Sequence, residues 1–494
     1  MYLIGYDLGS SSIKAALVDA KSGKAIATAQ SPETELSMHA PQTGWAEQDP
    51  EIWWEHICKA THQLLDNSKI AAEEVKAIGI AYQMHGLVIV DEDKEVLRPS
   101  IIWSDSRAVE IGRQAFEEIG AKKALSHLLN SPGNFTASKL KWVKDNEPDI
   151  YAKIHKMMLP GDYIAMRLTG DIRTTASGLS EGILWDFKEN GVAKIVLEQY
   201  GISENLIPEI VDTFSNQGEL SEAGAKATGL VAGIPVTYRA GDQPNNALAL
   251  NALQPGEVAA TGGTSGVVYG VTDQANYDPQ SRVNGFLHVN HSAAAPRIGI
   301  LLCINGAGIQ YRWIKENMTN GLSYVEMNEL AASVPIGSNG VVILPFGNGA
   351  ERMLCNDHIG AHIHGLGFNE HGQAHLCRAA LEGIAFSFVY GGKILQGMGV
   401  DISTMRVGND NLFRSPIFAQ TISNLLNCTI EAVETNGAVG AAKASGVAIG
   451  TYKNIGEAMS SVEVLMKYEA ESETVEYHKA YENWASVLKQ TMLK

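Results

Sequence analysis

The sequence predicts an α/β chain in two lobes, each with its own core. Three observations predict it: short apolar β-like runs alternate with helical patterns, a strand–glycine turn–strand device occurs twice, and 494 residues exceed what one core usually fills. The device first appears at Tyr2 to Tyr6, followed by Asp7-Leu8-Gly9-Ser10-Ser11-Ser12 and a second run, Ile13 to Val18, which together read as a hairpin. After the turn Lys21-Ser22-Gly23-Lys24, a third run at Ala25 to Ala29 makes the opening an antiparallel meander. The second copy is Glu257 to Ala260, then Thr261-Gly262-Gly263-Thr264-Ser265-Gly266, then Val267 to Val271. Between the copies the spacing predicts helices over Glu51–Leu65 and Ala137–Asn146 and a buried strand over Ala77–Tyr82. Beyond them come a glycine loop at Asn305–Gly308, a run at Gly340–Pro345, helices over His375–Val389 and Phe413–Leu426, and a small-residue stretch, Gly437–Gly450, suited to close helix packing. No low-complexity linker interrupts the chain, so the lobe boundary is compact and falls near 242–250, giving lobes 1–246 and 247–494.

Composition narrows the function. Lys and Arg number 38 against 55 Asp and Glu, a formal charge of -17, which repels phosphate backbones and anionic lipid at long range. Nucleic acid and membrane partners are therefore disfavoured. The five cysteines are scattered without a CxxC pair, so neither a disulfide framework nor a zinc site is suggested. With no signal-like leader and no apolar run of membrane-spanning length, the cytoplasm is the expected compartment.

Four segments carry chemistry. Asp7 with Gly9, Ser10, Ser11, Ser12 and Lys14 offers a carboxylate, an open backbone, three hydroxyls and a cation, which suits a phosphate and its magnesium ion as well as it suits a plain serine-rich turn. Gly262, Gly263, Thr264 and Gly266 form a second phosphate cradle or a flexible hairpin tip; the pairing of the two devices favours the cradles. Neither matches the Walker A or dinucleotide spacing. Asp242 and Gln243 follow a β-like run, Pro235 to Tyr238, where the aspartate either caps a helix or serves as the base that accepts a proton from an alcohol. Gln83-Met84-His85-Gly86 ends the Ala77–Tyr82 strand and can face sugar hydroxyls, or pack. The aromatic loops at Trp45–Pro50 and Trp103–Arg107 suit stacking on a sugar or on the lobe itself. Five histidines between 358 and 375 lack any Cys or acidic spacing that would complete a metal site.

Together these motifs resemble the FGGY carbohydrate kinases, in particular their xylulokinase-like branch. The carrying segments are Asp7–Ser10, Trp45–Pro50, Gln83–Gly86, Ile102–Arg107, Gly241–Gln243, Gly263–Gly266 and Asn436–Ala442, which occur in family order across nearly the whole chain. The resemblance implies a two-lobed actin/hexokinase-like (ribonuclease H-like) duplicated fold with a central cleft, a sugar-binding first lobe and a nucleotide-binding second one. It implies ATP-dependent phosphorylation of a small ketose, D-xylulose to D-xylulose 5-phosphate, with ribulose or glycerol, or a catalytically silent sensor, as the alternatives. Carried over by position, Asp242 is the base and Asp7 the carboxylate that holds Mg2+ through water. Met84, His85, Asp105, Asp242 and Gln243 contact the sugar. Gly9, Ser10, Ser11, Ser12, Lys14, Gly263, Thr264, Gly306, Gln310, Gly408 and Asn411 contact ATP. A sugar and ATP are the expected partners, and a homodimer is left open. Two positions depart from the xylulokinase pattern: Gln243 stands where Asn is common, and Val407–Asn411 replaces a triple-glycine adenosine loop.

Overall fold

The computed structural model describes residues 1–493. They form two compact units: Met1–Leu253 with Gly285–Ile298 and Thr435–Val462, and Gln254–Asn284 with Gly299–Glu434 and Glu463–Lys494. The first division of the chain falls between Leu253 and Gln254, and two later segments return to the first unit. The small-residue stretch is one of them.

The first unit is organised on a five-stranded sheet with spatial order Val236–Gly241, Val75–Tyr82, Tyr2–Leu8, Ile13–Asp19, Ala25–Ser31. The last three pair antiparallel as the meander predicted, and the first three run parallel. Strand alternation sends Ile4, Tyr6 and Leu8 to one face and Leu3 to the other, and both faces are buried. The first face is covered by the helix Pro50–Ser68, with Trp53, Ile57 and Leu64 inward. That helix starts where Asp49 accepts from the Glu51 N–H and Pro50 takes the first helical position, and it stops at Lys69 in the left-handed region (φ 57°).

The second face is covered by the helix Gly437–Ala448, capped by Asn436, whose Oδ1 accepts from the Val439 N–H at 3.0 Å. Glycine decides how closely it sits. A Cβ on Gly5 would overlap the Ala438 carbonyl and the Ala442 nitrogen, and one on Gly79 would overlap the Ala441 carbonyl. Backbone thus lies directly on backbone, with Ala438, Ala441 and Ala442 filling between.

The second unit repeats the plan. Its sheet runs Ile298–Ile304, Gly266–Thr272, Glu257–Gly262, Thr404–Gly408, Thr429–Val433, Val464–Tyr468, with the Glu257 and Gly266 strands antiparallel and the next two added in parallel. The buried helix Gln373–Gly397, longer at both ends than the predicted His375–Val389, packs against the strand Val342–Phe346, where Trp484 Nε1 donates to the Ile343 carbonyl at 3.0 Å. The predicted Phe413–Leu426 helix begins instead at Pro416, since residues 411–414 form a 3₁₀ turn and proline takes the first helical position. Among the described residues no helix is long and apolar enough to cross a membrane.

The contact at Gly79 makes a stability prediction. Gly79→Ala should cost about 1–3 kcal/mol, because neither backbone can give way. Gly397→Ala, on an open helix surface with nothing within 4 Å of the new methyl, should be neutral or stabilising by about 0.4–1 kcal/mol. Urea denaturation of both variants checks the pair of signs.

Candidate active site

Register brings the first unit's candidates to one edge of its sheet. Leu8 pairs with Tyr82, and Tyr82 with Gly241, so the three parallel strands end level. Asp7, the Gln83–His85 segment and Asp242 thus stand at neighbouring carboxyl ends, the edge where open α/β sheets bind ligands.

The turn after Asp7 is closed by the Gly9 N–H donating to the Ser12 carbonyl at 3.1 Å. Neighbouring segments pin it: Gln48 Nε2 donates to the Ser10 carbonyl (2.7 Å), Trp103 Nε1 to Ser10 Oγ (3.3 Å) and the Leu36 N–H to the Ser11 carbonyl (2.7 Å). Lys14 lies opposite Asp7 in the hairpin register. Burial raises the Asp7 pKa above the ordinary carboxylate range, and the Lys14 charge pulls it part of the way back.

Asp242 is the first residue of the helix Asp242–Ala249, after Gly241 in extended conformation. It makes no side-chain cap bond at the N-cap position, since Gly241 holds that position. Although its side chain keeps partial solvent contact, burial among protein atoms pushes its pKa up to about 7, the Asp7 charge adds to the rise, and donors of Gln243 oppose it. The two carboxylates are brought together by packing. Asn245 Nδ2 donates to the Gly437 carbonyl at 2.9 Å, and a Cβ on Gly437 would lie 2.6 Å from Asp7 Oδ2. Only glycine there leaves the Asp7 carboxylate approachable.

Met84 and His85 lie beside this pair. Met84 is buried, and a Cβ on Gly241 would come within 2.6 Å of its Cγ. Two further residues belong to the cluster and were not legible as such in the sequence: Glu181, whose Oε2 accepts from the His85 N–H at 2.9 Å, and Lys139, whose Nζ donates to the His85 carbonyl at 2.8 Å. Neither sits in a motif, and each reaches the site from far along the chain.

Asp105 is placed differently from the expected sugar contact. It is fully buried, with Oδ2 accepting from the Ala46 N–H (2.6 Å) and both oxygens engaged by Arg107 Nε and Nη2 (2.7–3.0 Å). Arg107 in turn lies 3.8 Å from the Trp45 ring centroid and 2.7 Å from Glu47 Oε1. The two aromatic loops are thus locked to one another by a buried ion pair and a cation–π contact, and Asp105 spends its oxygens inside that lock.

The second unit carries a cavity of about 610 Å³ lined by Gly263, Thr264, Gly308, Tyr311, Tyr324, Asn411 and Arg414 among others. The Gly308 and Ile309 N–H groups donate to the Gly263 and Thr264 carbonyls (3.0 Å each), tying the glycine turn to the start of the helix Gly308–Met318. Of the residues carried over for ATP here, Gly263, Thr264 and Asn411 line the cavity. Gly306 does not: its N–H donates to Glu351 Oε1 at 3.1 Å, and a Cβ would overlap the Pro345 carbonyl. Gln310 lines a separate apolar pocket of about 360 Å³ with Trp313 and Ile363, and Gly408 lies against the Asp410 carboxylate. Arg312 and Arg414, two cations on the cavity wall, had no motif to announce them. A broader depression of about 790 Å³ near Tyr390 and Lys393 has one carboxylate, Asp278, already paired with Arg282 at 2.8 Å, and offers no comparable chemistry. Among the described residues no group of three His, Cys, Asp or Glu is arranged to hold a metal ion by itself, and His362 Nε2 donates to the Ile359 carbonyl at 2.7 Å.

Known proteins resemble this chain in sequence and fold. The chain is similar to the xylulose kinase of Escherichia coli (strain K12), 31% identical over 400 residues, 80% of this chain and 79% of that one. It is also similar to the xylulose kinase of Staphylococcus epidermidis (strain ATCC 12228 / FDA PCI 1200), 30% identical over 494 residues, 98% of this chain and 95% of that one. The solved "xyloylose kinase" from Brucella ovis superposes with a TM-score of 0.89 at 27% identity, covering 99% of each chain. Plasmodium falciparum glycerol kinase matches with the same TM-score, 0.89, at 19% identity over 100% of this chain and 98% of that one, which shows the fold alone. Profiles described as the FGGY family of carbohydrate kinases, N-terminal domain and C-terminal domain, match residues 2–249 and 258–449. With matches over both of its halves and strand-end carboxylates in the first, the chain belongs to the FGGY family of carbohydrate kinases and is a phosphotransferase with an alcohol group as acceptor.

Proposed function

We propose that this chain transfers the γ-phosphoryl group of ATP to a small ketose, D-xylulose, giving D-xylulose 5-phosphate, with Asp242 as the general base. The observation that carries the proposal is Asp242 itself: a carboxylate at the level strand ends, beside Met84 and His85, with its pKa pushed up to about 7 by burial and by Asp7. A base works best when its pKa lies near the operating pH, so this carboxylate is stronger than an ordinary one and still ionised in part at neutrality. The relatives named xylulose kinase favour the ketose over other polyols.

In the reaction the substrate's primary hydroxyl oxygen bonds to the γ-phosphorus, the bond from that phosphorus to the β,γ-bridging oxygen breaks, and the hydroxyl proton passes to Asp242. ADP leaves with the bridging oxygen. Gln243 and the imidazole of His85 orient the sugar, and Gly263, Thr264 and Asn411 receive the nucleotide. The Asp7 site fits a magnesium ion held through water: Gly437 keeps its oxygen open, and Lys14 is the one charge that lowers its pKa. When bound with ATP, magnesium neutralises charge on the phosphate oxygens.

Two measurements test the proposal. Across pentuloses, hexuloses and glycerol in a coupled ADP assay, D-xylulose should give the highest kcat/KM, and no turnover with any acceptor would refute a kinase. Asp242→Asn should lower kcat by about 10²- to 10⁴-fold with ATP affinity retained.

The raised pKa also has a stability sign. Ionised Asp242 disfavours the fold, so the penalty is absent below its ordinary pKa of 3.8, builds as pH rises from there to about 7, and is fully present above it. Asp242→Asn should therefore leave Tm unchanged near pH 4 and raise it by a few degrees at pH 8. The parent's kcat/KM should fall on the acid side of about pH 7.

A further inference from the structure

We infer that Glu181 and Lys139 are positioning residues for the ketose: together they grip the peptide of His85 from both sides and fix which nitrogen of its imidazole meets a sugar hydroxyl. The inference rests on the reading that His85 contacts the sugar. His85 has φ 63°, in the left-handed region, which a residue with a side chain occupies only when its surroundings hold it there. The surroundings are specific. Its N–H donates to Glu181 Oε2 at 2.9 Å, and its carbonyl accepts from Lys139 Nζ at 2.8 Å. Lys139 is anchored by a second bond, to the Ile102 carbonyl at 2.9 Å.

The ring is fixed as well. Its Nδ1 lies 2.9 Å from the Glu181 backbone carbonyl, an atom that can only accept, and 3.4 Å from Glu181 Oε2, so Nδ1 carries a proton and is committed to Glu181. The ring plane is held edge-on to Phe135 (centroids 4.7 Å apart) and tilted against Phe286 (5.5 Å). An imidazole in this tautomer accepts at Nε2. For the neutral ring its complement on a ketose is a hydroxyl that donates.

Glu181 and Lys139 are 2% and 0% exposed, and buried ionisable groups are costly unless their hydrogen bonds serve a purpose. Burial holds the Glu181 pKa well above the carboxylate range and brings Lys139 down to about 7, with the Asp105 and Glu181 charges opposing the latter. Glu181 also abuts the turn that leads into Asp242: a Cβ on Gly241 would lie 3.0 Å from its Oε1. One carboxyl group therefore touches both the sugar-facing histidine and the approach to the base.

The test measures ketose KM, ATP KM and kcat for Glu181→Leu, Glu181→Gln and Lys139→Met, each alone and combined with His85→Ala. Glu181→Leu and Lys139→Met should raise the ketose KM about tenfold or more, with the ATP KM moving less than about twofold. Glu181→Gln, which keeps an accepting oxygen, should recover most of that loss. In the His85→Ala background the same substitutions should add little, since the group they position is gone. If Glu181→Leu fails to fold, the cycle with Lys139→Met decides alone. Parental ketose KM in both, equal rises for ketose and ATP, or full additivity with His85→Ala would overturn the positioning role while leaving His85 as a sugar contact. A parental ketose KM in His85→Ala itself would overturn that contact and the inference with it.

Discussion

The helix Gly437–Ala448 lying directly on the strands at Gly5 and Gly79 is the constraint on which the first unit's site depends. Two glycines remove every side chain that would hold the helix off, and alanines at 438, 441 and 442 fill what remains. From that seating the rest follows in order. The helix start brings Gly437 to the Asp7 carboxylate, and its next turn sets Gly440 against Ala249, where a Cβ would lie 2.5 Å from the alanine methyl. The Asp242–Ala249 helix is thereby pressed close as well. Asn245 completes the join, accepting from the Tyr238 hydroxyl at 3.1 Å while donating to the Gly437 carbonyl. Two carboxylates that would separate in water are held as neighbours by apolar packing.

That enforced proximity is unfavourable and useful at once. Burial raises the pKa of both carboxylates, and the Asp7 charge raises that of Asp242 further. The fold tolerates the conflict because backbone packing, which has no adjustable side chain, supplies the restraint. Such local costs are expected where a residue is tuned for chemistry rather than for stability. A cation at Asp7 would relieve part of the repulsion, so substrate binding and relief of strain point the same way.

Much of this was legible in the sequence. The two glycine-turned hairpins, the Val75–Tyr82 strand and the strand before Asp242 all announce themselves by apolar periodicity and punctuation, because their stabilising contacts are local in register. Glu181 and Lys139 were not legible: a buried Glu or Lys has no sequence signature when its partner is a peptide group nearly a hundred or fifty residues away. The buried clasp at Asp105 was not legible for a related reason. Its Asp-x-Arg spacing suits an exposed polar loop and a buried clasp equally, and only the Ala46 N–H and the stacked Trp45 ring decide for the clasp. Gly306 was carried over by position as an ATP contact, and in the structure its missing side chain makes room for the Pro345 carbonyl. The return of residues 435–462 to the first unit is a property of long-range packing that composition does not encode.

The repeated hairpin sets one backbone plan in two different charge environments. In both copies the strand ends in a tight turn, and the residue before the last of that strand is Asp7 in the first and Thr261 in the second. A carboxylate beside Lys14 suits a cation held through water, the part proposed for Asp7 above. The second copy carries no acid at its tip, opens on Gly262 and Gly263, and shares its cavity with Arg312 and Arg414. Neutral N–H groups and guanidinium charges are the complement of an anionic nucleotide. The hairpin plan is therefore common to both units, while the charges set around its turns differ between them.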